Sequence, residues 1–223
     1  MIADLFFIED TVKLPFMKLP NRCTIVKLSD SQLIVISPTH NFAEYKSKID
    51  PFGKVVAIVE PNMFHHLFSH KARKLYPHVP FYAVEGLKKK CPHIAWDQTL
   101  DPKTWPWQSE LEVIPIEGMP NVQEHVFLFK KEKTLIVTDL YFNLQEISGW
   151  GPWLILSLFG TWKKFGMSKL FLKYVTDKKK FWNSIETLTN LNFEHLVMAH
   201  GTPLFNNGRT RVREHFLLGQ RGG

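Results

Sequence analysis

With 223 residues, 44% of them hydrophobic and 22% charged, the chain has ordinary globular composition and apolar material for a sizeable core, which excludes a disordered or low-complexity protein. The net charge of +7 is gathered at Lys88-Lys89-Lys90, Lys130-Lys131, Lys163-Lys164 and Lys178-Lys179-Lys180 and at Arg209, Arg211 and Arg213. No nucleic-acid motif accompanies these clusters, so they read first as solvated loops and helix faces, with no specific nucleic-acid partner expected. Cys23 and Cys91 are the only cysteines, which rules out a disulfide framework and points to a reducing cytoplasm.

The opening Met1-Ile2-Ala3-Asp4 lacks a basic stretch followed by an apolar one, which predicts no signal peptide. Strands are expected at 2–8, 22–27 and 32–37, the last two joined through Ser29-Asp30-Ser31. Pro38-Thr39-His40-Asn41 breaks the sheet, a helix follows at about 41–49, and Pro51-Phe52-Gly53 turns into a strand at 54–59. Asn62 then reads as the N-cap of a helix with Phe64, Leu67, Phe68, Ala72 and Leu75 on one apolar face, ended by Pro77. A strand at 80–84, a helical turn from Glu85 to Cys91 and a Pro- and Trp-containing loop at 92–108 come next.

Strands at 111–116, 124–130 and 134–139 follow, the last two joined by a hairpin turn at Lys131-Glu132-Lys133. From 143 to 175 the chain reads as an apolar helical insertion with Gly and Pro breaks. Its most apolar part, Trp150 to Gly160, is shorter than the ~20 residues a spanning helix needs. It is therefore expected to be a core segment or, over 150–172, a surface for a partner or a second copy of the chain. Asp177 caps a helix with Phe181, Ile185 and Leu188 on one side. A strand at 195–199 and a helix from about 208 to Leu218, stopped by Gly219, complete the order. Strands in the middle and helices outside predict one α/β domain over 1–223.

Three apolar runs end on residues that can bind a metal or move a proton. Ala57-Ile58-Val59 reaches Glu60 and, through Pro61-Asn62, delivers His65 and His66; Thr134 to Thr138 runs into Asp139; His195 to Ala199 runs into His200-Gly201. Layered α/β folds bind ligands where strands end, so these termini are expected to converge. In the first turn of a helix the dipole disfavours imidazolium, leaving the neutral form that a metal accepts. Three histidines and an aspartate suit borderline-soft first-row metals. His66 and His70 also have the i, i+4 spacing of helical zinc ligands, but position 67 is not Glu and no third ligand is near. Glu60 and Glu117 are candidate bases, with surface strand-end carboxylates the plainer reading. No Walker loop, nucleophile elbow or dinucleotide fingerprint is present.

The order of elements, with TLIVTD and VMAHG in the second half, resembles the metallo-β-lactamase fold over nearly the whole chain. The segment PNMFHHLF, with TDLYFNL and AHG, is closest to a divergent branch of that superfamily without an assigned activity. The resemblance implies a four-layer αβ/βα sandwich with metals at one edge of its two sheets. The superfamily's His-x-His-x-Asp-His motif falls here on Pro61, Met63, His65 and His66, so the first two histidines are lost and His65 replaces the aspartate. No histidine occupies Gly118-Met119-Pro120-Asn121, where the next ligand belongs, and His125 lies in the following strand. Asp139 matches the bridging aspartate and His200 the final histidine. The resemblance therefore implies at most one divalent metal, zinc ahead of iron or manganese, held by His65, His66, Asp139 and His200. It implies a hydrolase acting on a small molecule, with Asp139 and His200 catalytic and with ester, thioester or lactone opening favoured over phosphodiester cleavage. The alternative is a binding or scaffold protein of this fold that has lost its metal.

Overall fold

Apolar runs bounded by turn residues become strands, and two sheets stack because each has an apolar face to bury. The computed structural model describes residues 3–221. The first sheet opens with the antiparallel arm β1 (Leu5–Leu14) and β2 (Met17–Lys27), continues into β3 (Gln32–Ile36), and extends in parallel through β4 (Lys54–Glu60), β5 (Phe81–Ala83) and β6 (Gln98–Thr99). The second holds β7 (Leu111–Pro115), β8 (His125–Phe129) and β9 (Thr134–Asn143) in antiparallel order. The short β10 (Phe165–Gly166) pairs with the far end of β9, and β11 (His195–Gly201) lies parallel to β9.

Ile34, Ile36 and Val59 of the first sheet meet Val113, Phe127, Ile136 and Val197 of the second in the central core. The outer face of the first sheet, through Ile25, Val35 and Ile58, packs on Phe42, on Ile49 of α1 (Lys46–Phe52) and on Ala72 of α2 (Ser69–Leu75). Beyond α3 (Glu85–Lys90), α4 (Trp150–Leu158) and α5 (Lys169–Leu172), the outer face of the second sheet is covered by α6 (Lys178–Asn190) and α7 (Gly208–Arg221). Leu128, Val137 and Met198 there contact Phe181, Ile185 and Val212. The result is the expected four-layer αβ/βα sandwich. Strands β9 and β11 are buried on both faces, which is why they read as unbroken apolar runs.

Several local expectations are corrected. The β1–β2 arm stays paired from Leu5↔Val26 to Leu14↔Met17, well past the expected strands. Pro20 is tolerated because β3 pairs with β2 only from Thr24 onward, leaving Pro20 on an edge. The expected first strand began at Ile2, which lies outside the described residues. The helix at 41–49 is a 3-10 turn, Phe42–Tyr45, running into α1. No helix begins at Asn62. Residues 62–68 form successive turns, α2 starts only at Ser69, and Leu67 is 56% exposed rather than part of an apolar face. Gly219 lies inside α7 instead of ending it. Asp177 does cap α6, its Oδ1 accepting from the Lys180 amide at 3.0 Å. Among the described residues, no helix is long and apolar enough to cross a membrane.

Candidate metal centre

The geometry of the centre begins with a register slip. Strands β9 and β11 pair from Thr134↔His195 to Val137↔Met198, and pairing resumes at Phe142↔His200 and Asn143↔Gly201. Residues 138–141 of β9 therefore bulge out opposite Ala199 alone, and the bulge carries Asp139. At Gly201 the backbone has φ +106°, and an added Cβ would sit 2.2 Å from the Asn143 carbonyl oxygen, so only glycine lets β11 close on β9 directly after His200. The His200 ring stacks on Phe142 with centroids 5.2 Å apart. Its Nδ1 donates to the Pro20 carbonyl at 2.7 Å, which leaves Nε2 to face Asp139 Oδ1 at 3.1 Å. The edge of β2 in one sheet thus fixes the tautomer of a histidine in the other.

His65 arrives from the turn after β4. Asn62 is fully buried, and its Oδ1 accepts the amides of Phe64 (2.8 Å) and His65 (2.9 Å), a capping arrangement with no helix behind it. The Nδ2 of Asn62 donates to Asp139 Oδ2 at 2.8 Å and to Glu124 Oε2 at 2.5 Å. The other oxygen of Glu124 accepts the amides of Thr138 and Asp139, both at 3.1 Å, and so holds the bulge in shape. His65 Nδ1 is 2.5 Å from Ser37 Oγ, and its Nε2 lies 3.3 Å from Asp139 Oδ2.

Electrostatically the centre is two buried carboxylates bridged by one amide, with two imidazoles on the side of Asp139. Burial pushes the Asp139 carboxyl up, but the charges and hydrogen bonds of His65 and His200 outweigh it and hold Asp139 well below the usual carboxylate range. Glu124 moves the other way. Its burial and the nearby Asp139 charge raise it, and the hydrogen bonds from Asn62 and Thr138 offset only part of that rise. Among the described residues, no lysine or arginine lines the adjoining pocket of about 210 Å³, whose walls include Asn21, Ser37, Phe64, His65, Asp139 and His200.

The donor set fits a divalent metal. With Nδ1 of His200 protonated toward Pro20, a neutral imidazole turns a lone pair on Nε2 toward a carboxylate oxygen, so a proton or a cation must lie between two acceptors. One atom each from His65, Asp139 and His200 falls within 4.8 Å of the others, a nitrogen–nitrogen–oxygen set suited to borderline first-row ions.

His66 is not part of that set. It lines the same pocket, but its Nδ1 is buried without a hydrogen-bond partner among the described residues. Burial, then Lys90 and His65, lower its pKa. His66 precedes α2, which starts at Ser69, while His70 is exposed on it, so the two do not share the helix that the i, i+4 spacing requires. Glu60 is only 1% exposed and accepts from Ser69 Oγ at 2.5 Å, so it is a buried carboxyl beneath the turn rather than a surface one. Glu117 is exposed on a separate hollow shared with His125. Where histidines are lost from the motif, apolar packing stands instead. Met63 packs against Ala83, Val84 and Leu87, and Met119 is 1% exposed in the core. Sequence reasoning missed Ser37, Glu124, Phe142 and the Pro20 carbonyl. Only Glu124 left a signal, as a carboxylate placed directly before an apolar strand.

No protein-family model matches the sequence, and no curated protein matches it. Solved structures do match the fold. DIM-1 metallo-β-lactamase aligns with a TM-score of 0.69 at 11% identity, covering 99% of this chain and 94% of that one. The metallo-β-lactamase from Pontibacter korlensis aligns at 0.68 with 15% identity, over 97% and 96%. FIM-1 from Pseudomonas aeruginosa, solved in a mono-zinc form, aligns at 0.66 with 9% identity, over 98% and 93%.

Proposed function

We propose that this chain, which has the metallo-β-lactamase fold, is a hydrolase working with one divalent metal held by His65, Asp139 and His200. The observation that carries the reading is the convergence of those three donors while both Nδ1 atoms are engaged, by Ser37 and by the Pro20 carbonyl. Such outer hydrogen bonds orient ligating histidines. A bound divalent ion supplies Lewis acidity and makes water acidic enough to act as a nucleophile near neutral pH. In the chain itself, Asp139 orients the attacking water, His200 faces the reacting centre, and Phe142 and Ser37 hold the two rings in place.

Zinc is the first choice, since FIM-1 of the same fold was solved with one zinc, and iron or manganese follow. Esters, thioesters or lactones are favoured over phosphodiesters because, among the described residues, no lysine or arginine lines the pocket to neutralise a phosphate. Met63 and Met119, both packed in apolar clusters, also stand where the resembled motif has histidines that would hold a second metal, so the clamp that two ions would give is not expected. A reducing cytoplasm fits Cys23 and Cys91, both free and buried. Elemental analysis of protein purified without chelator tests the proposal. About one equivalent of metal, lost in His200→Ala, with metal-dependent cleavage of a p-nitrophenyl ester or a thioester, supports it. Metal-free, inactive protein after zinc, iron and manganese addition defeats it.

A second reading, a binding or scaffold protein, is favoured by the outer face of α4. Trp150, Trp153, Leu154 and Leu158 are 74%, 53%, 54% and 69% exposed and fit a partner or a second copy of the chain. Light scattering after size exclusion, on wild type and on Trp153→Ser/Leu158→Ser, decides whether this face joins two copies.

A further inference from the structure

We infer that the ligand of this centre carries a flexible apolar acyl chain, seated in a chamber of about 300 Å³ between the β1–β2 arm, α4 and α5. Its walls include Leu14, Leu19, Phe142, Ile155, Phe159 and Phe171. Leu19, Phe64 and Asp139 line both this chamber and the polar pocket of His65 and His200, so the two spaces meet at the carboxylate. Among the described residues, Asp139 is the only charged side chain in the chamber wall, where Thr161, Ser168 and Tyr174 are the remaining polar residues. A sugar, a nucleotide or a phosphorylated group would leave buried polar atoms without partners there. A molecule with one reactive polar end and an apolar tail matches both spaces at once. Leu14 and Leu170, each 43% exposed, mark where such a tail reaches solvent.

Phe142 couples the two spaces. One face of its ring stacks on His200, and the same side chain forms part of the chamber wall. A chain filling the chamber therefore presses on the residue that sets the His200 ring, and brings the attached carbonyl beside Asp139. The chemistry rests on the hydrolase reading. The water oxygen bonds to the carbonyl carbon, the acyl–oxygen or acyl–sulfur bond breaks, and a water proton ends on the alcohol or thiol, leaving a carboxylic acid. The chamber itself stands without that reading.

The test separates the two. Straight-chain primary amides from acetamide to decanamide, neutral so as not to oppose Asp139, are titrated against protein loaded with the fluorescent probe N-phenyl-1-naphthylamine. Affinity is expected to rise about four-fold per methylene until the chamber is full, then level off. Ile155→Trp, or Leu170→Trp at the more exposed rim, moves that plateau to shorter chains. Affinity in the wild type that does not change from butanamide to decanamide overturns the inference, whether or not either variant folds. p-Nitrophenyl esters of the same chain lengths are then assayed with metal-loaded protein. Turnover rising with chain length supports the chamber and the hydrolase together. Chain-length selection in binding with no turnover of any ester overturns the hydrolase and supports the chamber. Turnover indifferent to chain length overturns the chamber alone.

Discussion

The Nε2 of His200 lies 3.1 Å from Oδ1 of Asp139 while its Nδ1 is bound to the carbonyl of Pro20, 180 residues away in sequence. With Nδ1 so committed, the space between Nε2 and the carboxylate is closed either by a proton on Nε2 or by a cation, and a metal can take the proton's place. The same geometry decides what each perturbation of the centre does.

Metal should stabilise the fold by mass action. At a free zinc concentration of about one hundred times Kd, the native state gains about 2.7 kcal/mol, or roughly 5–10 °C in Tm for a chain of this size. Differential scanning fluorimetry with zinc and with EDTA reads this directly, and His200→Ala or Asp139→Asn should abolish the difference. An identical Tm in zinc and EDTA for the wild type counts against the metal centre.

Ser37→Ala removes the partner of His65 Nδ1 without touching a donor atom. Competition with a chromophoric chelator should show metal affinity about 10–100-fold weaker, with the circular dichroism spectrum unchanged. Affinity equal to wild type would mean that His65 is oriented by packing and not by Ser37.

Asn62 joins Asp139, Glu124 and the turn carrying His65 through one side chain. In Asn62→Ala two buried carboxylates lose their shared donor and two amides lose their acceptor. Urea denaturation should show a loss of about 3–5 kcal/mol. A loss below about 1 kcal/mol would remove Asn62 as the link between the sheets' edges.

Glu60 gives a pH dependence of definite sign. Burial raises its folded pKa well above the ordinary value of 4.5, only partly offset by the Ser69 hydroxyl. Below the unfolded pKa both states are protonated and its contribution is fully present. As pH rises toward the folded pKa, the unfolded state ionises first and stability falls by about 1.4 kcal/mol per pH unit. Glu60→Gln should make the fall in urea-derived stability above the unfolded carboxylate pKa shallower than in the wild type, leaving the part that the raised Glu124 contributes. An equally steep decline in the variant would place its origin elsewhere.

Gly201→Ala tests the close approach after His200. The backbone φ of +106° and the Asn143 carbonyl together leave no room for a Cβ. A loss of about 3 kcal/mol is expected, with metal affinity weakened because the end of β11 must move. Wild-type stability in this variant would show that the strand ends separate freely.

Much of the architecture was legible because local patterns carry it. The stretches LIV of TLIVTD and LVMA of HLVMAHG are unbroken apolar runs because β9 and β11 are covered on both faces, and Asp177 caps α6 with a bond made three residues away. Other features were hidden because they depend on neighbours remote in sequence. The arm past Leu14 is held by pairing across β1 and β2 despite Pro20, and Asn62 spends its cap on a turn because Glu124 and Asp139 hold its other end.

Taken alone, then, the sequence determined the kinds and order of elements and which segments carry His65, Asp139 and His200, since periodicity and turn chemistry act over a few residues; that β9 runs past Asp139 to Asn143 was not among them. Tertiary structure alone decided that these three meet while His66 stays apart, and that Ser37, Pro20 and Glu124 set their orientation. The reason is geometric: a register slip in one sheet and the edge of the other fix where a side chain points, and neither leaves a mark on local residue patterns.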